Sequence, residues 1–187
     1  ENVTFEGKTY PVTTIGRYAF DLNYNIKSIT IPNSVKKIEE SAFQKCSGLT
    51  ELHLPNSVTH IADYAFVFCD NLKKVTIPNN LDTLGIYPFQ DCPMIEQVIV
   101  PECITDIVWG MFYGCKKLKH VTFLGNIKSI DKYAFNGCET LEYITIPSNV
   151  ESIGAFSFRN CKALSSIYLS PLTPPSVESN AVSDYTY

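Results

Sequence analysis

Phenylalanine recurs every 23 residues along this chain without a miss, at Phe20, Phe43, Phe66, Phe89, Phe112, Phe135 and Phe158. Six of the seven cysteines keep the same interval, at Cys46, Cys69, Cys92, Cys115, Cys138 and Cys161. A third column is aliphatic: Ile15, Ile38, Ile61, Leu84, Ile107, Ile130 and Ile153. Three columns in one register define a short unit repeated in tandem. A unit this short cannot bury its apolar residues alone. Stacking gives each Phe and Ile a neighbour above and below, so a solenoid is what such a chain can fold into.

The unit reads Ile-Gly-x-x-Ala-Phe-x-x-Cys-x-x-Leu-x-x-Ile-x-Ile-Pro-x-x-Val-x-x, with no gap between copies. Its alternating stretch, as in Val75-Thr76-Ile77, favours a short strand with one buried face. Strands are expected to begin near residues 28, 51, 74, 97, 120, 143 and 166 and to form one parallel sheet. Proline follows in five copies (Pro32, Pro55, Pro78, Pro101 and Pro147). It lacks the amide hydrogen that a ladder needs, so each strand stops there. Asn-Ser or Asn-Asn then turns the chain. The Ala-Phe-x-x-Cys segment is too short for a stable isolated helix. The expected fold class is a right-handed repeat solenoid, with one parallel β-sheet on the concave face and short helical turns or short strands on the convex side. One domain is expected over 1–187: a partial coil at 1–14, seven repeats over 15–175, and a partial coil and tail at 176–187.

A net charge of −4 argues against a dedicated binder of nucleic acid or of anionic membranes. No apolar run approaches the ~18 residues that span a bilayer. The chain opens at Glu1 without Met or a leader, which suggests a processed piece of a longer protein.

The unit resembles the BspA-like, or type-5, leucine-rich repeat. Residues Ile146, Pro147, Val150, Ile153, Gly154, Phe158, Cys161 and Leu164 match that pattern, with Ser157 in place of Ala. Leu49, Leu52 and Leu54 form the Leu-x-x-Leu-x-Leu strand signature. The resemblance covers almost the whole chain. It implies a leucine-rich repeat fold and a secreted or cell-surface protein of a host-associated anaerobic bacterium. It also implies a part in adhesion to a host or cell-surface protein. It names no ligand, because the shared residues are core residues. Departures gather in the fourth and fifth units. Pro88 and Met111 replace Ala, Trp109-Gly110 replaces a polar-Tyr pair, and Phe123-Leu124 replaces Ile-Pro.

Reactive chemistry finds little support. Zinc sites need close pairs such as Cys-x-x-Cys, and none occurs, so no metal ligands are assigned. A buried, reduced cysteine ladder fits the 23-residue spacing best. Disulfides between coils are the second option, although parallel Cβ vectors aim poorly for bridging. Cys103 falls outside the column, either as an exposed thiol or as a tolerated substitution. There is no Gly-x-Ser-x-Gly, no His-Glu-x-x-His and no phosphate-cradling glycine loop. His53 and His120 lie three coils apart, about 14 Å along the stack, too far to act together. No catalytic residue and no cofactor are therefore assigned. Asn2-Val3-Thr4 is a glycosylation sequon, accidental in a bacterial protein.

The outward strand positions remain. One column reads Ser28, Glu51, Lys74, Gln97, His120, Tyr143 and Ser166; the next reads Thr30, His53, Thr76, Ile99, Thr122, Thr145 and Tyr168. A concave face is where solenoids bind. His53, Lys74, Ile99, His120, Tyr143 and Tyr168 are the candidate ligand contacts, for a protein or glycan partner. Ile86, Trp109 and Met111 add large apolar groups where other units are polar or small. Trp109 belongs to the convex side, so it forms a second patch or repacks locally around Pro88 and Gly110. The two functional classes are an adhesive binding module and a structural spacer within a larger surface protein. A contiguous apolar or aromatic patch favours the first.

Overall fold

The computed structural model describes residues 2–5, 8–170 and 173–182. Within them the repeat becomes a parallel β-solenoid of about seven turns. Every coil after the first contributes a longer strand on one face, a two-residue strand after the turn that follows it, and a turn segment carrying the Phe and Cys. The longer strands are Glu51–His53, Lys74–Thr76, Gln97–Val100, His120–Phe123, Tyr143–Ile146 and Ser166–Leu169. All their pairings are parallel with an offset of 23, as in His120↔Gln97 and Thr122↔Ile99. The two-residue strands stack the aliphatic column in the same register, for example Ile38↔Ile61 and Ile130↔Ile153. At the C-terminal end Ser176–Val177 continues this column with Ser152↔Ser176 and Ile153↔Val177. Residues 183–187 of the expected tail lie outside the described residues.

Four details differ from the sequence-based expectation. First, no helix forms among the described residues. Each complete turn segment holds two left-handed residues four apart, such as Ser41 and Lys45 (φ 53° and 55°) or Tyr64 and Phe68 (φ 57° and 59°). A residue there cannot continue a right-handed helix. The amides then alternate in use. Ala42 and Gln44 donate to carbonyls three residues back (3.2 and 3.1 Å), while Ser41, Phe43 and Lys45 donate to Asp63, Ala65 and Val67 of the next coil (3.1, 2.8 and 2.8 Å). A helix would spend all of these donors inside one coil and leave the stack untied on that side.

Second, the strand expected near residue 28 does not form. The Asn23 side chain accepts from the amides of Asn25 and Ile26 (3.3 and 3.2 Å), an Asx turn that diverts the chain there. Third, the strands Asn2–Phe5 and Lys8–Pro11 pair antiparallel, where a partial coil was expected. Fourth, the single expected sheet is divided. The longer strands form three pairs, and the short strands form two sheets of four.

That division marks a seam. Neither Lys74–Thr76 with Gln97–Val100 nor Thr83–Leu84 with Asp106–Ile107 is paired, so two ladders break between the same two coils. The Phe89–Phe112 spacing there is 6.1 Å, against 4.9 to 5.6 Å elsewhere in the Phe stack. Both flanking coils carry a bulkier buried residue in the Ala column, Pro88 and Met111. Their extra volume wedges a closely packed stack. The turn side still ties the two coils, through Tyr87 N–H to the Trp109 carbonyl (2.8 Å) and Asp91 N–H to the Tyr113 carbonyl (2.7 Å).

Apart from Val67, the buried hydrophobic residues described form one contiguous cluster, with a Phe stack along it. Each column cysteine has a reason for its place. Its thiol donates to the carbonyl of the Phe 26 residues earlier: Cys46 to Phe20 (3.1 Å), Cys92 to Phe66 (3.2 Å), Cys138 to Phe112 (3.3 Å). Cysteine thus fills a small apolar slot and adds a donor between coils. All seven cysteines are free, and the six of the column are buried. Cys103 is half-buried, with its thiol 3.5 Å from the Pro78 carbonyl. At pH 8 the six column thiols should resist a thiol reagent in the native protein, with Cys103 reacting slowly. After denaturation without reductant all seven should titrate. A count below seven would reveal disulfides and overturn the ladder.

Candidate binding surface

Alternation sets the face. In Gln97–Val100 the side chains of Gln97 and Ile99 point to solvent while Val98 and Val100 are buried, and Tyr143–Ile146 repeats the pattern. The six candidate contacts are all exposed on this strand face, with Ile99 60%, Tyr143 45% and Tyr168 57% accessible.

They fall into two groups. His53, Lys74 and Ile99 line one depression with Thr76, Pro101 and Leu124, set across the seam. Glu51 lies between two of them, 3.6 Å from His53 Nε2 and 3.5 Å from Lys74 Nζ, and His53 Nδ1 is 3.3 Å from the Thr76 hydroxyl. These pairs are solvent-exposed, so they orient side chains more than they stabilise the fold. His120, Tyr143 and Tyr168 form a chain of rings, 5.9 Å between the first two and 6.2 Å between the second two, the latter edge to face. Gln97 bridges the groups, lining the depression and standing opposite His120 in the ladder.

Leu124 is a candidate contact that sequence reasoning missed. It is 55% exposed and walls the depression. Its signal was the break in the Ile-Pro pattern, where a leucine stands in place of the strand-ending proline. The other irregular residues lie elsewhere. Met111 is fully buried and Ile86 half-buried, its amide held by the Asp63 carboxylate (2.8 Å). Trp109 sits on the turn side between Tyr87 and Tyr133, 6.3 Å from each.

The surface offers little for reaction chemistry. Burial pushes the Cys115 thiol up to about 12, so it is no nucleophile at neutral pH. His60 Nδ1 is 2.7 Å from the Thr59 hydroxyl. Among the described residues no three His, Cys, Asp or Glu side chains are grouped to hold a metal ion. Among the described residues there is no helix long and apolar enough to cross a membrane.

A parallel stack of 23-residue coils, with Leu, Ile and Phe columns inside and an irregular strand face outside, is a leucine-rich-repeat solenoid. Its sequence matches the BspA type leucine rich repeat region in six copies, over residues 13–142 and 85–185, and the chain belongs to that family. No catalytic family is indicated. Among solved structures it is similar to a leucine-rich cell surface protein from Faecalibacterium prausnitzii, at 31% identity and a TM-score of 0.80, covering 93% of this chain and 47% of that one. A leucine-rich repeat protein from Eubacterium ventriosum shares the fold at 23% identity and a TM-score of 0.64, covering 94% of this chain and 63% of that one. The chain therefore spans less than two thirds of either structure. No curated protein matched the sequence.

Proposed function

We propose that this chain is a non-enzymatic, extracellular binding module. It acts at the surface of a host-associated bacterium and adheres to a protein or glycan through the strand face. The observation that carries the reading is the contiguous patch from His53, Lys74 and Ile99, through Leu124 and Gln97, to His120, Tyr143 and Tyr168. A spacer has no use for an exposed isoleucine and leucine beside a row of aromatic rings, and such patches mark interaction sites. Membership of a repeat family with a cell-surface relative supports the location.

The test is a panel of host-matrix proteins and a glycan array, probed with the purified chain and with an Ile99→Ala/Tyr143→Ala double variant. The wild-type chain should bind at least one member. The double variant should bind it at least ~1 kcal/mol more weakly with a nearly unchanged melting temperature, because both side chains are exposed. Equal affinity would remove the strand face as the site. Absence of binding across the panel would favour the spacer.

A further inference from the structure

The turn side carries a second, separate feature. Its left-handed column reads Tyr18, Ser41, Tyr64, Tyr87, Gly110, Tyr133 and Phe156, and the rings stack along it. Tyr64 and Tyr87 are 5.5 Å apart at 6°, and Tyr133 and Phe156 are 5.2 Å apart at 22°. Gly110 breaks the stack, and a Cβ there would collide with the Tyr87 ring. Trp109 fills the gap, tilted 39° to Tyr87 and 12° to Tyr133. That repair is complete without Tyr113. Yet Tyr113 stands where the other coils carry Asp21, Gln44, Val67, Gln90, Asn136 and Arg159. Its ring crosses the stack edgewise, 6.3 Å from both Tyr87 and Tyr133 at 67° and 60°.

The result is a depression lined by Tyr64, Tyr87, Gln90, Tyr113 and Tyr133. Four phenols and one carboxamide line it, with no charged side chain. Burial raises the Tyr87 phenol above its ordinary value, and the phenols of Tyr64, Tyr133 and Tyr113 push it the same way. The Gln90 carboxamide is held by its N–H to the Asp91 carboxylate (3.0 Å). At the ends of the column the chain's own guanidiniums already cover the rings, Arg17 over Tyr18 and Arg159 over Phe156.

We infer that this depression binds a neutral sugar unit of a glycan, independently of the strand face. A pyranose has flat C–H faces that pack on an aromatic ring, here that of Tyr113, which meets Tyr87 and Tyr133 at 67° and 60° instead of stacking on either, and hydroxyls that pair with phenols and an amide. Sites of this kind combine aromatic walls with a few convergent polar groups. The lining offers no charge to select an ion.

Trp109 is the only tryptophan of the chain and touches both rings, so its fluorescence reports on the site. The probes are neutral hexasaccharides of maltose, cellulose, mannan, galactan and chitin type, with choline chloride and a heparin hexasaccharide as charged arms. At least one neutral probe should change the emission saturably, with a dissociation constant of about 1 mM or tighter. Tyr113→Ala and, separately, Gln90→Ala should each weaken it about tenfold or more. Ile99→Ala/Tyr143→Ala should leave it unchanged, which keeps this site distinguishable from the strand face. Saturation by choline or heparin alone, no saturation by any neutral probe, or unchanged affinity in both turn-side variants would each overturn the inference.

Discussion

Raising the pH from 7 to 10 is expected to destabilise the folded state by about 4 kcal/mol or more, a large share of the stability of an ordinary domain. The cause is the cysteine ladder. Burial pushes the Cys46 and Cys115 thiols up to about 12 and also raises Cys92 and Cys138. Cys69 is raised well above its usual range by its hydrogen bond with Cys92 and then by burial. Unfolded thiols titrate near ~8.5. Above that pH the unfolded chain releases protons that the folded chain keeps. The stabilisation is therefore complete below ~8.5 and lost as the pH rises towards about 12. A thiol held protonated contributes about 1.4 kcal/mol per pH unit above ~8.5; Cys46 and Cys115 do so, and Cys69, Cys92 and Cys138 act in the same direction. Urea midpoints at pH 7, 8, 9 and 10 under reductant should fall steeply above pH 9. A midpoint that stays level to pH 10 would mean the thiols are not held protonated in the core.

Phe66→Ala should destabilise the protein by about 3–5 kcal/mol. Phe66 is fully buried and stacks on both sides, 5.3 Å from Phe43 and 5.5 Å from Phe89. Removing its ring opens a cavity between coils that the stack cannot close. The end positions differ. Among the described residues, Phe20 is half-buried and stacks on Phe43 alone, while Phe158 stacks on Phe135 alone. Solenoid stability is largely a sum over neighbouring coils, so Phe20→Ala and Phe158→Ala should each cost less than Phe66→Ala. Denaturant unfolding of the three variants decides this. Equal and small losses would show that the Phe stack is not the structural axis.

The stack was legible because three columns shared one period, and alternation alone placed Ile99, Tyr143 and Tyr168 outward. The turn segment was not legible. Tyr, Phe, Ser and Lys occupy most of its left-handed positions, and those residue types do not announce positive φ. Gly110, Gly114 and Gly137, with Asp91, Asn160 and Asn180, hinted at it. The seam followed from volume, since Pro88 and Met111 crowd facing slots of adjacent coils, but a repeat alignment shows only that they depart from Ala. Leu124 escaped notice because it stands where proline normally ends the strand, a position whose exposure the alternation does not set.

The most direct test of the account is amide hydrogen exchange of the chain, free and bound to whichever panel protein it captures. Partner-induced protection should map to the strand face, at 97–100, 120–124, 143–146 and 166–169, and leave the turn segments 85–92 and 108–115 unchanged. Protection confined to those turn segments, with the strand face exchanging as in the free chain, would contradict the assignment of the strand face as the adhesive surface.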